Sequence, residues 1–187
     1  ISVGPSNLDI EKTNLVVVDD YVSLTMSTFS NVGNAFGNAH RQYVSRDQGA
    51  TFNLVGSNGE TYHMLSATAL PQGRLGFGYI SDTDTIKFTR IANPGVNLGR
   101  TDFQSKKEVT VHTGSKVFCT KTNNQLSGGA ITIWYQDSVI YIAVMDTNNV
   151  MYGFQSTDQG DTWSFISESE TSPTIDDGIM YDPSSTE

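Results

Sequence analysis

Twenty Asp and Glu residues, eleven Lys and Arg residues and three histidines hold most of the reactive chemistry open to this chain. Glycoside hydrolysis needs two carboxyl groups roughly 5 to 10 Å apart across a cleft. The carboxylates that fall in predicted loops are Asp82, Asp84, Asp102, Asp137 and Asp146. No spacing selects a pair among them, and Asp in a loop commonly forms the turn itself. His40, His63 and His112 lie far apart and lack zinc-ligand spacing. Asp82-Thr83-Asp84 and Asp146-Thr147-Asn148-Asn149 are rich in oxygen, yet neither fits an EF-hand loop. There is no Gly-x-Ser-x-Gly nucleophile turn and no phosphate-cradling glycine loop. No metal and no cofactor is expected. The single cysteine, Cys119, excludes an intrachain disulfide and reads as a small buried hydrophobe within Lys116 to Thr120.

Binding chemistry is better represented than catalytic chemistry. Trp134, Tyr135 and Tyr141 cluster late in the chain, and Tyr43, Tyr62, Phe77 and Tyr79 lie earlier. Sugars present C–H faces that stack on aromatic rings and hydroxyls that bond to Asn, Gln and Asp. With two arginines added for charged groups, the candidate ligand-binding set is Arg74, Tyr79, Arg90, Trp134 and Tyr135. The net charge of -9 and pI near 4.6 disfavour nucleic acid and anionic membrane surfaces as partners. No apolar run approaches the length of a membrane helix, so no membrane insertion is expected.

The elements that would position these groups are announced by a repeated pattern. Ser156-Thr157-Asp158-Gln159-Gly160-Asp161-Thr162-Trp163 reads S-x-D-x-G-x-T-W, and Ser45-Arg46-Asp47-Gln48-Gly49-Ala50-Thr51-Phe52 nearly copies it. In each, an extended run enters a tight turn. The Asp carboxylate accepts amide hydrogens of that turn. The Gly takes a conformation that a side chain would strain. The Thr opens the next strand, and the Trp or Phe plugs a gap between sheets.

This pattern resembles the Asp box of the sialidase, or BNR-repeat, families. The resemblance implies a hairpin between the third and fourth strands of a β-propeller blade, on the rim and away from any active site. Ser45, Asp47, Gly49, Thr51 and Phe52, with Ser156, Asp158, Gly160, Thr162 and Trp163, are thereby structural. Sialidases hold the sugar carboxylate with three arginines and use a Tyr–Glu pair and an Asp acid/base. The Arg-Ile-Pro motif of the first arginine is missing, and Arg90-Ile91-Ala92 keeps only two of its letters. Of Arg41, Arg46, Arg74, Arg90 and Arg100, no spacing selects a triad, and Arg46 falls inside the first box.

The rest of the chain is read by alternation and turn residues. Residues 1–13 form a lead-in segment. Three blades follow, at 14–56, 60–113 and 115–168, and residues 169–187 form a tail or the start of a further blade. The strand Tyr21 to Ser27 alternates Val22, Leu24 and Met26 against polar neighbours. Tyr79 to Phe88 reads as a third, degenerate box, with Phe88 in the place of Phe52. Val96 to Lys107 reads as a polar connection. Val109 to His112 and Lys116 to Thr120 read as a hairpin about Thr113-Gly114-Ser115. No stretch has a helical period.

The fold class expected is all-β, a sialidase-like propeller or a segment of one with four-stranded antiparallel blades. Propellers close with about four to eight blades, so three imply an oligomer or part of a larger chain. The start at Ile1 rather than Met also fits a processed or excised piece. The function expected is recognition of a carbohydrate or cell-surface receptor, without catalysis, at an extracellular or virion surface. The Gly/Ser/Thr/Asn-rich, cysteine-poor texture resembles phage tail fibre and tailspike proteins. The alternatives are a sialidase-like glycoside hydrolase completed elsewhere and a protein-interaction scaffold.

Overall fold

The computed structural model describes residues 8–19, 21–30, 37–58, 63–81, 84–92, 107–122, 125–128 and 130–169. Every regular element among them is a strand. The first sheet is β1 (Leu8–Val18), β2 (Tyr21–Ser30), β3 (Gly37–Ser45) and β4 (Asn53–Asn58). The middle sheet is β5 (His63–Leu70), β6 (Arg74–Ile80), β7 (Thr85–Ala92) and β8 (Lys107–Thr113). A two-stranded ribbon, β9 (Cys119–Thr122) and β10 (Gln125–Gly128), precedes the last sheet. That sheet is β11 (Ile131–Gln136), β12 (Val139–Met145), β13 (Met151–Ser156) and β14 (Ser164–Glu168). Within each four-stranded sheet, consecutive strands pair antiparallel in chain order.

The middle sheet is covered on both faces. Leu75, Phe77, Tyr79 and Ile91 pack with Val18, Tyr21 and Val44 of the first sheet. Ile80, Ile86 and Phe88 point the other way and pack with Ile131, Ile133, Ile140, Ile142 and Phe154 of the last. Side chains alternate across a strand, so two-sided cover leaves Leu75 to Ile80 buried at every position. The strands β11, β12 and β13, covered on one face, keep the alternation. Polar bonds tie neighbouring sheets together. Asn14 Nδ2 donates to the Leu65 carbonyl at 3.0 Å, and Tyr21 Oη donates to the Gly73 carbonyl at 3.0 Å.

Several sequence expectations are corrected. Strand β1 begins at Leu8, inside the expected lead-in, and pairs from Leu8↔Ser30 onward with a bulge between Ile10 and Lys12. Backbone pairing to the long β2 needs no apolar period, which residues 8–13 lack. On β2 the side chains facing the middle sheet belong to Tyr21, Ser23 and Thr25, all buried. Gln42 Nε2 donates to Ser23 Oγ at 3.1 Å, so Ser23 finds its partner within the same sheet. The expected third box is not formed. The turn after Ile80 joins the second and third strands of its sheet, not the third and fourth, and Phe88 lies inside β7. Nor do Val109 to His112 and Lys116 to Thr120 pair with each other, since β8 pairs with β7 and β9 with β10. Residues 96–106, Asp82, Arg100, Asp102 and the tail beyond Ser169 lie outside the described residues.

Candidate functional site

The two Ser-x-Asp-x-Gly-x-Thr turns are near superimposable in their bonding. Ser45 Oγ donates to Asp47 Oδ1 at 2.7 Å, and Ser156 Oγ to Asp158 Oδ1 at 2.8 Å. Each serine oxygen also accepts the glycine amide, Gly49 or Gly160, at 2.8 Å. Each Oδ1 accepts the threonine amide, Thr51 or Thr162, at 2.8 Å, and each Oδ2 the threonine hydroxyl at 2.6 Å. Gly49 and Gly160 share a φ of +92°, a region that favours glycine. Donated hydrogen bonds favour the charged carboxylate. The Thr51 hydroxyl and amide and the Ser45 hydroxyl hold Asp47 down at a pKa of about 2. The Thr162 hydroxyl and amide and the Ser156 hydroxyl hold Asp158 well below the ordinary carboxylate range. Neither carboxylate is poised as a proton donor near neutral pH.

The second turn is seated on the middle sheet. The Phe88 and Trp163 rings lie 5.2 Å apart, and Trp163 Nε1 donates to the Gly160 carbonyl at 3.3 Å. Arg90 clasps the same turn. Its guanidinium donates to the Gln159 carbonyl at 2.6 Å and pairs with Asp161 Oδ1 at 2.8 Å.

The other sequence candidates are scattered. Arg74 opens β6, with Nε donating to the Pro71 carbonyl at 2.9 Å. Tyr79 is sealed between the first and middle sheets, where its hydroxyl donates to Glu108 Oε2, and Lys87 Nζ lies 2.7 Å from Oε1 of that carboxylate. Trp134 and Tyr135 are successive residues of β11 and so take opposite faces. Tyr135 packs against the core, whereas Trp134 is 37% exposed on the face turned away from it. Asp146 is buried, with Oδ1 accepting the Asn148 and Val150 amides at 2.8 and 2.9 Å and Oδ2 the Tyr152 hydroxyl at 3.2 Å. Lys116 Nζ sits 5.2 Å from the Tyr152 ring centroid, and its pKa is raised chiefly by the Tyr152 hydroxyl. His112 packs beside Phe118 and Phe154. The side chains of His40, His63 and Cys119 lie outside the described residues. No group of three or more His, Cys, Asp or Glu that could hold a metal occurs among the described residues.

The outer face of the last sheet gathers what the list of single residues did not. Trp134 stacks on Tyr141, ring centroids 5.2 Å apart and planes 16° from parallel. The pairings Trp134↔Tyr141 and Tyr141↔Gln155 then Gln155↔Ser164 place an indole, a phenol, an amide and a hydroxyl on one cross-strand row. Gln155 was not among the sequence candidates. Alternation along β13, with Tyr152 and Phe154 facing the core, was the signal that could have found it.

No protein-family model and no curated protein sequence matches the chain. Solved structures do. A GH43 β-1,3-galactosidase with galactodeoxynojirimycin matches over 86% of this chain and 58% of its own, at 8% identity and a TM-score of 0.61. A bifunctional GH43-CE protein of Bacteroides eggerthii matches over 85% of this chain and 19% of its own, at 9% identity and a TM-score of 0.54. The Hadza microbial sialidase Hz136 matches over 88% and 34%, at 12% identity and a TM-score of 0.52. The chain thus spans between about a fifth and three fifths of the proteins it resembles. The fold is all-β, three four-stranded antiparallel sheets that match a segment of sialidase and GH43 propellers. At such identities the likeness concerns the fold, and the chemistry rests on the residues above.

Proposed function

We propose that this chain is a carbohydrate-recognition unit of propeller design, which binds a cell-surface glycan without cleaving it. One observation carries the reading: the stacked, solvent-facing Trp134–Tyr141 pair with the Gln155 amide beside it. Exposed ring faces next to an amide suit a sugar, whose C–H face stacks while its hydroxyls bond to the amide. The two serine–aspartate turns act as Asp boxes, holding blade rims rather than reacting. Their carboxylates stay charged and saturated with donors. The Tyr79–Glu108 pair has the residue types of a sialidase nucleophile couple, but its phenol is sealed between sheets. The same proposal places the chain outside the cell or on a virion surface, because cell-surface glycans are met there.

The test is a glycan array followed by titration calorimetry, with the chain and its Trp134→Ala and Gln155→Ala variants. Binding of a defined glycan without release of sugar is expected, with Trp134→Ala weakening it about tenfold or more, equivalent to roughly 1.4 kcal/mol. A folded chain that binds no glycan, or one whose binding ignores both substitutions, defeats the reading. Release of reducing sugar moves the assignment to a glycoside hydrolase.

A further inference from the structure

The cations of this chain stop short of its last sheet. Lys121 is the final one, and residues 122–187 hold ten of the twenty Asp and Glu residues and no Lys, Arg or His. The outer face of the last sheet is built wholly from that stretch. Strand register sets a row of Thr132, Ala143 and Gly153 beside the row of Trp134, Tyr141 and Gln155. The small residues leave low ground next to the rings, bounded by Ile166, whose Cβ would lie 3.7 Å from a Cβ added at Gly153. Glu168 is the one charged residue in the four strands, and it pairs with Tyr152 on the opposite, core-facing side. Among the described strand residues, then, the outer face carries no charge.

The nearest charges at its rim are negative. Asp137, in the turn from β11 to β12, and Asp158, in the turn from β13 to β14, are both exposed at the same end of the sheet. Each is three residues from Trp134 or Gln155, about 10 Å along a strand. That is close to the screening length in ordinary salt, about 8–10 Å. The arginines that the sequence offered for charged groups lie on the middle sheet and are engaged there. Arg74 holds the Pro71 carbonyl, and Arg90 holds the Gln159 carbonyl and Asp161.

Resting on the glycan reading, we propose that this face selects an uncharged glycan, whose units carry hydroxyl or acetamido groups and no carboxylate, sulfate or phosphate. An anionic group laid against rings and small residues gives up water and gains no cation. The rim carboxylates add repulsion. Hydroxyl and acetamido groups lose little, because Thr132, Gln155 and Ser164 supply neutral donors and acceptors. The face thus departs from arginine-based capture of an acidic sugar, and its selectivity comes from the lack of a counter-charge.

The test is a glycan array that carries each core in three forms, bare, sialylated and sulfated. Calorimetry then compares the best-bound core with its other forms, using the full chain at low and high salt. Bare cores should bind at least about tenfold more tightly than charged ones at low salt. High salt should narrow the gap. Thr132→Lys, which sets a cation on the face, should narrow it about two- to fivefold, the scale of one exposed charge pair. Asp137→Asn should narrow it less, and Asn tolerates the φ of +50° at that position. Charged forms that bind as tightly as bare ones, with binding lost in Trp134→Ala, overturn this inference and leave the glycan reading standing. A gap that ignores salt and both substitutions also overturns it. No binding of any form by the folded chain defeats both.

Discussion

Gly160 lies directly against the ring of Phe88, so close that an added Cβ would stand 2.0 Å from Cε1. Gly49, at the same place in the first turn and with the same φ of +92°, meets nothing within 4 Å. The two glycines share a backbone requirement and differ in one neighbour. Gly49→Ala should therefore cost only the left-handed conformation, about 1–2 kcal/mol. Gly160→Ala adds overpacking against a buried ring, for a total of about 2–4 kcal/mol. Urea denaturation of the two variants measures the difference, and equal losses would mean that the Phe88 contact carries no weight.

The turn carboxylates set an acid limit. Asp47 and Asp158 titrate in the folded chain below their ordinary value of 3.8. A depressed folded pKa gives stability that is present above the unfolded value and lost as pH falls through the folded one. Both turns thus contribute fully above about pH 5 and weaken from about pH 4 toward pH 2. Thermal melts from pH 6 to pH 2 should show this decline, and Asp47→Asn with Asp158→Asn should flatten it. A decline of equal steepness in that double variant would assign acid sensitivity to other groups.

Arg90 joins two sheets through a backbone carbonyl as well as a carboxylate. Its ion pair with Asp161 is partly exposed and worth about 0–1 kcal/mol. Loss of the carbonyl contact adds about 1 kcal/mol. Arg90→Ala is expected to cost more than Asp161→Ala, and Arg90→Lys to recover only part, since an ammonium lacks the guanidinium fork. Chemical denaturation at low and high salt separates the contributions, because only the ion pair is screened.

Tyr79 and Trp163 each donate one side-chain hydrogen bond that a Phe would lose. Tyr79→Phe removes a donor to Glu108, whose other oxygen keeps Lys87. The expected cost is about 1–2 kcal/mol, with no change in glycan binding. Trp163→Phe installs the residue type that the first turn carries at Phe52 and loses the bond to the Gly160 carbonyl. About 1–3 kcal/mol is expected there, from the lost bond and the smaller ring beside Phe88. An effect of either on glycan titration would tie the buried layers to the outer face.

Local chemistry was legible in the sequence wherever one segment determines its own shape. The serine, aspartate, glycine and threonine of each turn bond to one another, so their spacing alone announces them. The last sheet was legible because one face is buried and β11 to β13 alternate. The middle sheet was harder, because cover on both faces erases the alternation that marks a strand. Tyr79 to Phe88 imitated a third turn because it ends strands with the same residue types, while its place in the sheet depends on partners far away. On β2 the apolar alternation marked one of two buried sides: Met26 is buried on it, while Ser23 and Thr25 are buried on the other, where Gln42 donates to Ser23. The Trp134–Tyr141–Gln155 row required the strand registers, which no single segment encodes.

Every hydrogen-bonded strand neighbour in the three large sheets is also a neighbour in the chain. Each sheet can therefore complete its ladder by short-range hairpin steps, and only the stacking of finished sheets requires distant parts to meet. Short loops close quickly and at small entropic cost. The slow event in assembly is then face-to-face docking rather than strand threading. A sheet could be added to or removed from either end without re-routing the others, so the molecule grows the way a stack of plates does.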